Sequence, residues 1–216
     1  MPRWKPNARE RLVKAAMELF EARGFAQTGV ADIAARAGLT ERTFFNCFPD
    51  KREVLFHGAE KLESFLVVSV AQAPASASAT EAVAAALDTV VRASDAAPEF
   101  ADFARRRHAL LQLHAELHER ELSKLASLAS AMAGALRLRG VPARSANLAA
   151  EVGIAVFKVA FETYTSDPKR RKLAFHLRES LDDFAMLKVV SKGTGPASPR
   201  GGAGVARKGR SLRSGR

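Results

Sequence analysis

Residues 30–51 read VADIAARAGLTERTFFNCFPDK, and this stretch decides the architecture. VADIAARA (30–37) has the make-up of a short helix, with Thr28 placed to cap it. Gly38-Leu39 turns the chain, and Thr40 caps another short helix from about Glu41 to Phe48. Ile33, Ala34, Ala37, Leu39, Phe44 and Cys47 are all apolar or small, as crossing helices require of the positions they bury. Gly38 supplies the positive φ that a tight turn demands. Two short helices joined in this way form a helix-turn-helix, whose second helix offers its N-terminal end to base edges in a major groove. Here that end is Thr40, Glu41, Arg42 and Thr43. A plain helical hairpin in a core would have the same periodicity. The position of the glycine and the helix preceding the pair favour DNA reading.

Outward from this stretch, helical patterning continues. ARERLVKAAMELFEAR (8–23) sets Leu12, Ala16, Leu19 and Phe20 on one face, and Gly24 stops it. Pro49-Asp50 ends the third helix, and Asp50 caps a long fourth one running from Lys51 towards Val70. AQAPASASAT (71–80) is a small-residue linker. Further helices are predicted at about 81–94, from Pro98 to Arg139 with a break near His114–Leu117, at 144–165 and at about 170–188. No strand signal is present. The expected fold class is all-α with about nine helices. A three-helix DNA-binding domain occupies 1–57, a helical effector-binding and dimerisation domain 58–190, and a basic disordered tail 191–216.

Apolar residues make up 47% of the 216-residue chain, enough for a real core. One cysteine excludes an internal disulfide and suits a reducing cytosol, so the expected location is cytoplasmic. There is no long apolar run for a membrane span and no secretory signal, so no membrane partner is expected. The net charge of +11 is unevenly spread: residues 191–216 carry seven Lys or Arg and no acid. This points to a polyanion near the tail, not to a basic fold.

The segment 9–55 resembles the DNA-binding domain of TetR-type transcription regulators. LVKAAMELFEARGF, TGVADIAARAGLT and the spaced set R-T-F-F-x-x-F-x-x-K stand in the family's order and spacing. The remainder matches only in helical layout. The Phe44-Phe45 pair and PEFADFARRRHALLQLHAELHERELSKL resemble a subset common in high-GC bacteria. The resemblance implies that Thr28 and Lys51 hold DNA phosphates and that Thr40, Glu41, Arg42 and Thr43 reach bases or phosphates. The planar fork of Arg42 suits a guanine O6/N7 edge. The chain departs from the family in having Phe45 where tyrosine is usual, Asn46-Cys47 where aromatics or His are common, and Gly29 where Ser or Thr is frequent. Phe45 can only pack on sugar or methyl, whereas Asn46 can read adenine or bond a phosphate.

The resemblance further implies a homodimer on a palindromic double-stranded operator, acting as a repressor released by a small, largely apolar effector of unknown identity. Leu148, Val152, Val156 and Val159 form one stripe for the interface, and Leu177, Leu181 and Phe184 another; the same stripes would serve an internal core. The pocket residues proposed are Phe65, Leu87, Val91, Phe103, Leu110, Leu113 and Phe161. His114 and His118 stand at i, i+4, but H-x-E-x-H is not the zinc-protease order and no third ligand is evident, so no metal is expected. Cys47 lies on the packed face without a His beside it. No catalytic residue and no cofactor motif is found, so an enzyme is not expected. The rival reading is a non-specific nucleic-acid-coating protein driven by the basic tail, aided by Arg3, Trp4 and Lys5.

Overall fold

The structure, a computed structural model, describes residues 8–97 and 99–193, with side chains as far as Leu187. Arg3, Trp4, Lys5, Pro98 and the tail from 194 onward lie outside the described residues. Nine α-helices and one 3-10 turn follow in order, with no strand among the described residues. They are α1 (Ala8–Arg23), α2 (Val30–Arg36), α3 (Glu41–Cys47), the 3-10 turn (Glu53–Phe56), α4 (Ala59–Gln72), α5 (Ala79–Asp95), α6 (Phe100–Leu113), α7 (Ala115–Leu138), α8 (Ala143–Ser166) and α9 (Leu173–Gly193).

Two apolar cores organise these elements. The first gathers Leu12, Ala16, Phe20, Phe25, Ile33, Phe44, Phe48 and Leu55 from α1 to the 3-10 turn. Leu110 and Leu111 of α6 and Leu117 of α7 complete it. The second lies among α4, α5, α7, α8 and α9 and centres on Leu66, Val83, Leu87, Val91, Met132, Leu136, Ala150 and Tyr164. α8 passes very close to α5 at Gly153, where an added Cβ would stand 2.3 Å from Val83 Cγ1.

The fourth helix starts later than its sequence suggests. Asp50 Oδ1 does accept the amides of Arg52 and Glu53, at 2.7 and 3.2 Å, but it caps the 3-10 turn. Gly58 then adopts φ +92°, and α4 begins at Ala59. A glycine in the left-handed region breaks the run that would otherwise have joined the two. The break between α6 and α7 falls at His114, whose extended backbone (φ −131°, ψ 107°) interrupts the helix. Residues 71–80 are a tied loop: Arg139 donates to Ala73 O at 2.5 Å and to Pro74 O at 2.7 Å.

Candidate nucleic-acid interface and effector cavity

The reading head is a rigid platform because its inward face is apolar and sealed. Ile33, Ala34, Phe44 and Phe48 are buried, and Cys47 is a small packed residue among them. Thr40 Oγ1 accepts the amide of Thr43 at 3.2 Å and caps α3. Its oxygen is also 2.9 Å from Thr43 Oγ1. Two hydroxyls sharing one hydrogen bond leave one proton to donate outward. Glu41, Arg42 and Asn46 are exposed and make no hydrogen bond or ion pair among the described residues. Phe45 is 55% exposed and stands edge-on to Phe44 at 5.6 Å.

Two expected phosphate anchors face inward instead. Thr28 is buried, and its hydroxyl donates to Gly24 O at 2.9 Å. Gly29, not Thr28, is the cap of α2, and Asp32 Oδ2 accepts its amide at 3.1 Å. Lys51 Nζ donates to Phe25 O at 2.8 Å and Thr28 O at 3.1 Å, and lies 4.3 Å from the Phe25 ring centre. The α1–α2 loop leaves these two carbonyls without helical partners, and the ammonium satisfies both. Arg11 does a similar task unforeseen from the sequence. From α1 it donates to Ala37 O and, at 3.4 Å, to Gly38 O, holding the turn between α2 and α3. The signal available for it was general: carbonyls at a helix C-terminus favour a cation.

The head is tied to the helices behind it by polar contacts as well as shared core. Arg106 pairs with Glu21 through two 2.7 Å bonds. Arg107 donates to Leu55 O at 2.7 Å and to Glu121 at 2.9 Å, and its guanidinium lies over Phe56. Glu53 receives Arg120 at 2.5 Å and Lys124 at 3.1 Å. Burial alone would raise the Glu53 pKa, but these two cations hold it below the ordinary value. The His114 ring rests 5.6 Å from Phe25.

A cavity of about 290 Å³ opens where these ties meet the effector helices. Its wall runs from Leu55–Ala59 across α4, α5, α6, α7 and α8 to Leu173. Of the expected pocket residues, Phe103 and Phe161 line it. The others are corrected by the packing. Phe65 and Leu113 are 43% and 76% exposed, Leu87 and Val91 belong to the second core, and Leu110 packs into the head. Along the interface stripes, Leu148 and Val159 are 65% and 54% exposed, and Val152, Leu181 and Phe184 are half-buried. Val156 and Leu177 are corrected to internal core, because α8 and α9 turn those faces towards α5. His118 lines the cavity while His114 packs on Phe25, and no cluster of three metal-ligating residues occurs among the described residues. No helix there is long and apolar enough to cross a membrane.

A sealed helix-turn-helix whose second helix presents free polar side chains, backed by an all-α body with a cavity at the joint, defines a class of DNA-binding regulators. Residues 12–57 match the sequence model of the bacterial regulatory proteins of the tetR family. Through that segment the chain belongs to the TetR family, and it is a DNA-binding regulator of transcription. Similar solved structures include SmeT, repressor of the Stenotrophomonas maltophilia multidrug efflux pump SmeDEF, at 19% identity and TM-score 0.54, over 84% of this chain and 90% of that one. SmeT with triclosan aligns at 19% identity and TM-score 0.52, over 81% and 90%. A FadR regulator from Bacillus subtilis with stearoyl-CoA aligns at 19% identity and TM-score 0.52, over 80% and 95%. These likenesses are of fold. No curated protein matches in sequence.

Proposed function

We propose that this chain is a repressor that binds a palindromic operator as a homodimer and leaves it when a small, largely apolar ligand enters the cavity. The observation that carries this reading is the cavity's position. Its wall includes Leu55, Phe56, His57 and Gly58, the joint between the reading head and α4. An occupant that favours one arrangement of that joint shifts the orientation of α3, and two heads then lose their match to half-sites one helical turn apart. SmeT with triclosan and Bacillus subtilis FadR with stearoyl-CoA support a ligand-responsive role by analogy of fold.

Within this reading Thr40, Glu41, Arg42, Thr43, Phe45 and Asn46 form the DNA surface. Phe45 packs on sugar or methyl, and the spare hydroxyl proton of the Thr40–Thr43 pair goes to a phosphate. Leu148 and Val159, with Val152, Leu181 and Phe184 beside them, form the dimer face. Residues 1–57 are the DNA-binding unit, 58–190 the effector and dimerisation unit, and 191–216 a basic extension. The protein works in the cytoplasm and has no enzymatic role.

Selection of bound sequences from a random DNA pool tests the proposal. A two-fold symmetric motif supports it. Binding without sequence enrichment overturns it in favour of a coating protein driven by the tail.

A further inference from the structure

We infer that the effector is a small amphiphile with an anionic head, a carboxylate on a short apolar tail, and that His118 and Arg107 receive the head. This rests on the effector reading proposed above and adds the ligand's chemistry. The cavity's volume of about 290 Å³ holds roughly ten water-sized atoms, at the small end of ligand sites. Phe100, Phe103, Leu125, Leu128, Phe157 and Phe161 make most of its wall apolar. Two polar groups on that wall are incompletely answered. His118 Nδ1 is buried with no hydrogen-bond partner among the described residues. A ring nitrogen in that state costs stability unless something bonds it. The Arg107 side chain is 15% exposed and uses Nε on Leu55 O and Nη1 on Glu121, while Nη2 bonds nothing among the described residues.

The acids on the same wall are already paired: Glu121 with Arg107 and Glu162 with Lys158 at 3.9 Å. A cationic head would therefore meet a guanidinium and find no free acid. A neutral hydroxyl could bond His118 but would leave the guanidinium charge as it is. A carboxylate accepts from His118 and from the open edge of the guanidinium, which matches its planar fork. It also competes with the Leu55 carbonyl for Arg107, and a carboxylate is the stronger acceptor. Binding would then loosen the tie to the turn just before Gly58. Entry of the head and release of the reading head become one event.

Calorimetry of the full chain with octanoate, 1-octanol and octylamine tests this, because the three share a tail and differ in head charge. Octanoate should bind about tenfold or more tighter than octanol, as one charge-assisted bond predicts, with octylamine weakest. His118→Phe and Arg107→Lys should each erase most of that preference. Melting curves establish that each variant is folded, and if Arg107→Lys is not, the head-group series and His118→Phe decide alone. No binding of octanoate, an order led by octanol or octylamine, or an undiminished preference in His118→Phe overturns the inference. On a selected operator, octanoate should release the protein at concentrations where octanol does not, and release by both alike overturns the link to Leu55. If no operator is selected, the repressor reading fails, while the calorimetric ranking still decides the head chemistry.

Discussion

Replacing Lys51 with methionine separates two roles for one side chain. As a phosphate anchor it would contribute to DNA affinity and nothing to the free protein. Its geometry instead makes it a clamp: Nζ lies 2.8 Å from Phe25 O and 3.1 Å from Thr28 O, above the Phe25 ring. Methionine keeps the length and apolar stem but removes the donors. Each carbonyl that loses its partner costs about 1 kcal/mol, and the lost cation–π contact adds about 0.5–1 kcal/mol. Lys51 is half-buried, so water recovers part of this, and the expected loss is about 2 kcal/mol.

For a chain of this size that corresponds to a fall of roughly 4–8 °C in Tm. Calorimetric or circular-dichroism melts of Lys51→Met measure it directly. The DNA assay is run well below the melt, at several salt concentrations. A clamp leaves the slope of log affinity against log salt unchanged. A phosphate contact would lower its magnitude by about 1 per reading head. A variant that melts with the parent but loses salt slope would refute the clamp and restore the phosphate reading.

Arg42→Ala should leave the melt unchanged, since Arg42 is exposed and makes no bond among the described residues, and should relax specificity at one base position by about 1–3 kcal/mol in a selection or competition assay. Gly153→Ala gains about 1 kcal/mol of helix propensity but forces a Cβ to 2.3 Å from Val83 Cγ1, and overpacking of about 1–3 kcal/mol should win. Adding Val83→Ala to that variant should recover stability, and a further loss instead would contradict the tight α5–α8 crossing. His57 has a pKa below its ordinary 6.5, through burial first and then the cations Arg9 and Lys61, with Glu10 opposing. The unfolded chain therefore takes up more protons as pH falls through about 6.5, and stability is lost on acidification from there down to the folded pKa. His57→Gln should flatten that part of the stability–pH curve relative to the parent, in denaturant titrations at stepped pH.

What could be read from the residues alone was what depends on near neighbours. The 3.6-residue spacing of Leu12, Ala16, Leu19 and Phe20, the Thr40 cap and the Gly38 turn are local chemistry, and they appear in the structure where the pattern put them. Lys51 and Thr28 were misread because their partners are carbonyls freed by a loop, and periodicity does not say which carbonyls a loop will orphan. Leu110 looked like pocket lining because its own helix supplies only a face, not the neighbour that covers it. Arg106 finds Glu21 across 85 residues, a distance over which no spacing rule operates. The same long-range packing has a functional consequence. Leu110, Leu111 and Leu117 complete the reading head's core from helices that belong, by position, to the effector half. A division at residues 57–58 therefore separates the chain but not the forces. Between the shared core and the cavity lie Arg107 and the Leu55–Gly58 joint, so whatever occupies the cavity presses on the contacts that orient α3.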